Sequence, residues 1–143
     1  MGNINTFIYC LQADTIQSPE GQAVNANAIL TAITPEFIPG AFSFSIVFAL
    51  NNLEIENHTL HIYFKNSDGK VLVDSNDIHI PFKEIIEKGQ NGASLPDEEK
   101  GMIMSMDLRN VLFEKVGYYC TFIYLDGNLV GEYKIYAKGK NRI

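Results

Sequence analysis

The stretch GYYCTFIYLDGNLVGEYKIY, Gly117 to Tyr136, decides the architecture. Asp126-Gly127 is a dipeptide that tolerates positive φ angles and closes a two-residue hairpin. With those two residues as the loop, paired positions sum to 253, so Cys120 faces Tyr133 and Phe122 faces Gly131. Tyr118, Cys120, Phe122 and Tyr124 line one face of the first strand; Tyr119, Thr121, Ile123 and Leu125 line the other. Both faces are apolar, and a strand of that kind is covered on both. Two covers stay open: a loop or short helix of the same chain, or a partner subunit.

The same stretch carries a Tyr-Tyr-Cys triplet, as immunoglobulin domains do before their second disulfide cysteine. That pattern needs an earlier cysteine on a facing strand and a tryptophan packed on the bridge. The chain has no Trp, and its other cysteine, Cys10, lies on the first strand, far too early. Glu114 and Val116 stand where Asp and a small residue would be expected. The triplet therefore reads as a strand with a tyrosine near its start. No disulfide is expected, and two free thiols suit a reducing compartment.

Upstream, AFSFSIVFAL alternates with period two: Phe42, Phe44, Ile46, Phe48 and Leu50 point one way, Ser43, Ser45, Val47 and Ala49 the other. That marks a strand with one buried face. NTFIYCLQA reads as a first strand, then a turn at SPEGQ, then the Ala-rich strand AVNANAILTAI. TPEFIPG holds two prolines and is a connection. TLHIYFKNSDGKVLVD is a hairpin turning at Asp68-Gly69, and Ile78 and Ile80 have the opposite parity to Val71 and Val73, so the chain breaks near Ser75–Asn76. FKEIIEKG offers the one short helix, near 82–88, and QNGASLPDEEKG an exposed loop. In MIMSMDLRNVLF, Met102, Met104, Met106 and Leu108 recur every second residue as core filler. The sum is an all-β chain: one antiparallel β-sandwich, immunoglobulin-like or C2-like, of about eight strands, forming a single domain over 1–143.

The length of 143 residues suffices to bury a core without disulfides or metal. A net charge of −6 disfavours nucleic acid and anionic membrane, and the only basic cluster is KGKNR, read as a frayed end. No Lys or Arg precedes Lys65, so MGNINTFIYC lacks a secretory signal, and no segment has the length of a membrane span. The expected location is the cytoplasm.

The order of these pieces resembles a family of small bacterial β-sandwich proteins classified only as a domain of unknown function. The shared marks are FIYCLQAD (Phe7–Asp14), FIPGAFSFSIVF (Phe37–Phe48), a His-x-Leu-x-Ile segment running into Asp-Gly (His58 to Gly69), and Gly117, Tyr119 and Asp126-Gly127. The Ala-rich second strand and the Lys-Glu-rich segment at 83–88 depart from it. The resemblance implies a sandwich of intracellular bacterial or phage origin and no particular activity.

Catalytic chemistry is not expected. The histidines are His58, His61 and His79, no GxSxG elbow occurs, and both cysteines lie mid-strand. The hairpin register sets His58 opposite His79, but the break between them spoils a metal pair, and the histidines read as surface residues without a role. Asp68, Asp74, Asp77, Asp126 and the DEE at 97–99 lack the Asp-x-Asp spacing of a calcium site. No catalytic residue, metal ligand or cofactor site is assigned. The expected function is a non-enzymatic interaction module that binds a protein partner or forms a homo-oligomer. Its interaction surface is expected on the final hairpin at Ile123, Val130 and Tyr136. A small-ligand or carbohydrate-binding sandwich is the alternative.

Overall fold

The computed structural model describes residues 2–18, 21–90 and 93–140. Residues 19–20 of the SPEGQ turn, residues 91–92 at the start of the QNGASLPDEEKG loop, and residues 141–143, which include the end of the basic tail, lie outside them. Ten strands are present among the described residues: β1 (Asn3–Ser18), β2 (Gly21–Leu30), β3 (Ala32–Ile33), β4 (Gly40–Asn51), β5 (His58–Lys65), β6 (Val71–Asp74), β7 (Ile78–Ile80), β8 (Met102–Phe113), β9 (Gly117–Leu125) and β10 (Asn128–Ala137). One helix, α1 (Phe82–Glu87), follows β7. The strands form two sheets, β2-β1-β4-β8 and β3-β10-β9-β5-β6, with β7 also paired to β5.

The expectation of about eight strands is corrected to ten, for two local reasons. The Ala-rich segment is not one strand: β2 belongs to the four-stranded sheet, and after Thr31 the chain crosses to the other sheet as β3. The expected break after β6 is real, with Asn76 at φ 57°, and it separates β6 from β7. The sheets are not wholly antiparallel either, because β3 runs parallel to β10.

The core lies between the sheets. Phe44 of β4 and Phe64 of β5 meet edge-on at 5.3 Å, and Phe113 and Tyr119 complete the ring cluster. Toward the other end Phe7 stacks on Tyr133 at 4.0 Å, and the Tyr9 hydroxyl sits 2.7 Å from the Thr121 hydroxyl. Burial pushes the Tyr9 phenol well above its usual pKa, so it stays a neutral hydrogen-bonding group. Tyr119, the second tyrosine of the triplet, donates from its hydroxyl to the Lys115 carbonyl at 2.7 Å and thereby fixes the turn into β9.

Both hairpin registers differ from the expected ones. Asp126 (φ 51°) and Gly127 (φ 83°) do close β9–β10 as a two-residue turn. The sum of 253 holds for Asn128↔Leu125 and Leu129↔Tyr124, and then a bulge at Val130 shifts the pairing by one. Cys120 therefore faces Lys134, and Phe122 faces Glu132. The next residue is glycine for a steric reason: a Cβ at Gly131 would lie 2.7 Å from the Ile4 side chain and 2.6 Å from the Tyr133 ring. In the β5–β6 hairpin only Gly69 (φ 85°) has a positive φ. Its N–H donates to the Asn66 carbonyl while the Asn66 N–H donates to Lys70. That is a three-residue loop ending in a left-handed glycine, not a two-residue one.

The thiols of Cys10 and Cys120 are free. Cys10 pairs with Ser45 on the outer side of the four-stranded sheet, whereas Cys120 stands on the outer side of the six-stranded one. Among the described residues no helix is long and apolar enough to cross a membrane.

Candidate functional site

The outer face of the six-stranded sheet concentrates the unusual side chains. Strand parity and pairing arrange them in rows. Lys65, Cys120 and Lys134 form one row across β5, β9 and β10; Tyr63, Phe122 and Glu132 form the next; His61, Tyr124 and Leu129 form a third; Tyr118 and Tyr136 close the other end. Tyr118 is 58% and Tyr136 38% exposed, and Phe122, Tyr124 and Tyr63 are half-buried. No described element covers these rings. Helix α1 does not: its Phe82 enters the core beside His58, with ring centres 6.1 Å apart.

The rings touch one another. Tyr118 and Tyr136 make an edge-on pair at 5.1 Å, and Tyr63 and Tyr124 another at 5.9 Å. Lys65 extends its ammonium over Phe122 at 4.8 Å and over Tyr63 at 5.3 Å, a cation–π arrangement that holds a charge on an apolar surface. A shallow recess of about 330 Å³ runs between the Asn66–Gly69 loop and Tyr118, Phe122 and Lys134.

Of the expected interaction residues, Tyr136 lies on this face. Ile123 does not: it is completely buried, because the inner face of β9 is the one carrying Tyr119, Thr121, Ile123 and Leu125. Val130 is half-buried at the bulge and packs against the core. Tyr118, Phe122, Tyr124 and Lys65 share this face and were not among the expected residues. Their shared parity was visible, but with both faces apolar nothing local says which one turns outward.

The histidines separate into different environments. His58 does not face His79; it pairs with Ile80, while His79 pairs with Thr59. Nor is it a surface residue. It is 5% exposed, with Nδ1 2.6 Å from an Asp126 carboxylate oxygen and Nε2 2.8 Å from the Glu54 carbonyl. Both partners are acceptors, so this geometry favours the protonated ring, which donates from both nitrogens. Burial opposes that charge, but the Asp126 carboxylate and the Glu54 carbonyl outweigh it and hold the pKa above the usual histidine value. His61 is clasped in the open: Nδ1 lies 2.9 Å from Asp77 and Nε2 2.6 Å from Asp74, and the ring stacks on Tyr63 at 4.5 Å. Asp77, then Asp74, raise its pKa. Asp68 pairs with Lys115. Among the described residues no group of three His, Cys, Asp or Glu side chains is placed to hold a metal ion.

These contacts make stability depend on pH. A histidine whose folded pKa is raised contributes stability that is complete below the unfolded value of 6.5 and is lost as pH rises through the folded value. Asp126 and Asp74 are shifted down, so their contribution is present above 3.8 and lost as pH falls through their folded values. The melting temperature is expected to peak between about pH 4 and 6.5 and to fall toward pH 8. A pH series of thermal melts checks this; a flat profile from 6 to 8.5 would show the histidines to be uncoupled from folding.

Comparison with known proteins adds a family and a distant shape. A family described as Family of unknown function (DUF6941) matches residues 8–138. No curated protein matches the chain. Among solved structures the chain is similar to a Pseudomonas fluorescens alkylpurine DNA glycosylase, AlkC, bound to DNA containing an abasic site analog. The identity is 9% and the TM-score 0.49, over 96% of this chain and 30% of that one. The chain thus spans under a third of that protein's length.

Proposed function

The chain belongs to that family of unknown function, DUF6941, and from this premise we propose that it is a non-enzymatic protein-interaction module. Its docking surface is the outer face of the six-stranded sheet. The observation that carries the reading is the row of outward tyrosines, Tyr118, Tyr136 and Tyr124, around Phe122 and Lys65 on a rigid sheet. Tyrosine and ordered aromatic clusters are what protein interfaces select, since each ring buries much area at small entropic cost. Two further facts support binding over turnover. His58 and His61 have both ring nitrogens committed to fixed acceptors. Burial, reinforced by Glu132, pushes the Cys120 thiol up, which disfavours the thiolate a nucleophile needs. The free thiols support the cytoplasm as the site of action, and the shared core supports reading the two layers as one sandwich.

A small-ligand or carbohydrate site is the second reading, favoured by the recess beside Tyr118 and Phe122. The two readings part on one experiment. Immobilised protein is expected to retain a specific partner from host lysate, and Tyr118→Arg with Tyr136→Arg is expected to weaken retention by about tenfold or more. The double variant should melt as the parent does, since both rings stand outside the core. Unchanged retention would refute this surface; a thermal shift with a sugar panel and no retained protein would favour the alternative.

A further inference from the structure

We propose that the partner this face fits is a second copy of the same chain, packed face to face about a two-fold axis. The proposal rests on reading the tyrosine face as an interface and names its occupant. Two observations select a second copy.

The first is charge. The chain carries a net −6, so two copies repel across most of their surface. The outer face carries both signs close together: Lys65 and Lys134 stand in the rows beside Glu132, and His61, charged only when protonated, is clasped by Asp74 and Asp77. Among the described residues Lys65 and Lys134 form no ion pair, as is also true of Lys83, Lys88, Lys138 and Lys140 elsewhere, but these two stand within the aromatic rows.

The second is the order of the rows. A two-fold axis lying in the interface, across the strands and between the Cys120 and Phe122 rows, superposes each row on its neighbour. Lys134 then meets Glu132 of the second copy, and Glu132 meets its Lys134. Lys65 comes over Tyr63 of the second copy, a further cation–π contact. Tyr118 meets Tyr124 and Tyr136 meets Leu129, apolar against apolar. An isologous contact needs a patch complementary to itself in this way, and the registers of β9 with β5 and β10 supply it.

Three strands about 4.8 Å apart and four rows about 6.8 Å apart make a flat patch of roughly 400 Å² per copy. Two copies bury on the order of 800 Å², which places the contact among weak, transient interfaces rather than permanent ones. The dimer is therefore reversible and forms only at high concentration.

Sedimentation equilibrium over about 5–500 µM tests this, because mass action makes the dimer fraction concentration-dependent. The wild type is expected to pass from monomer to dimer across that range. Lys134→Glu and Glu132→Lys alone are each expected to stay monomeric, since each sets like charges opposite one another twice. The combined Lys134→Glu/Glu132→Lys chain is expected to dimerise again within about threefold of wild type. Circular dichroism confirms that each variant is folded; both positions are exposed and neither enters the core. A wild type that remains monomeric throughout overturns the proposal, and so does a charge-swapped chain that fails to regain the dimer. Neither outcome touches the broader interface reading, which falls only if Tyr118→Arg with Tyr136→Arg leaves partner retention unchanged.

Discussion

Phe44→Ala is expected to lower the free energy of unfolding by about 4 kcal/mol, to be read from the urea midpoint at unchanged slope. The position joins the two sheets. Phe44 is wholly buried, and its ring lies 5.3 Å from Phe64 across the core, 6.2 Å from Phe113 and 6.0 Å from Tyr9. Removing it forfeits the transfer energy of a buried ring and leaves a cavity whose walls belong to different sheets. Those walls are held by backbone ladders on both sides, so they close the gap poorly. Domains of this size have about 5–15 kcal/mol in total, so the variant stands near the threshold of folding. Phe42→Ala, on the same strand but only half-buried, is expected to cost about half as much. Equal losses at the two positions would mean that the core is not centred where the sheets converge.

The position of Phe44 was legible in advance because β4 alternates cleanly, and Phe44, Ile46, Phe48 and Leu50 are all buried. The same alternation misjudged the opposite side of β4, where Ser45 and Val47 are buried too. The cause is not local. The four-stranded sheet curls until β2 approaches β8, two strands beyond its own neighbour, and Ser45 is satisfied there by donating to Asp107 at 2.6 Å. The β9–β10 turn was legible because Asp-Gly readily adopts the positive φ angles of a tight hairpin, whereas the Val130 bulge was not: no signal along β10 announces it, and the adjoining Gly131 sits against Ile4, a residue of the other sheet. The outward placing of Ile123 failed for a related reason. Period two sorts residues into faces, and only tertiary packing decides which face is inward when both are apolar. His58 shows the limit most clearly. Its partner is Asp126, 68 residues away in sequence, and no pattern along β5 announces it.

Asp126→Ala is expected to cost about 3 kcal/mol, far more than an ordinary turn substitution, because three separate functions meet in that residue. Its backbone sits at φ 51°, where alanine is strained by roughly 1 kcal/mol. One carboxylate oxygen accepts from the Thr59 N–H at 2.8 Å, tying the β9–β10 turn to the start of β5. The other holds His58 at 2.6 Å, and losing it leaves the buried ring without its Nδ1 partner and less able to carry a proton. The carboxylate is 43% exposed, so solvent screens part of that attraction and the pair contributes about 1 kcal/mol rather than the larger figure of a dry one. Asp126→Asn separates the contributions. Asparagine tolerates the left-handed backbone and still accepts from Thr59, so it is expected to lose only about 1 kcal/mol at pH 6. The pH profile distinguishes the two accounts of His58. With the carboxylate gone, burial still opposes the charge and only the Glu54 carbonyl and the nearby Glu56 favour it, so the ring's pKa falls from its wild-type value and its contribution above pH 6.5 shrinks. The wild type then loses stability from pH 6.5 upward, while the asparagine variant loses less over the same range and its deficit narrows toward pH 8.5. Parallel profiles for the two proteins would assign the whole pH dependence to His61 and its aspartates and leave Asp126 as a turn residue alone.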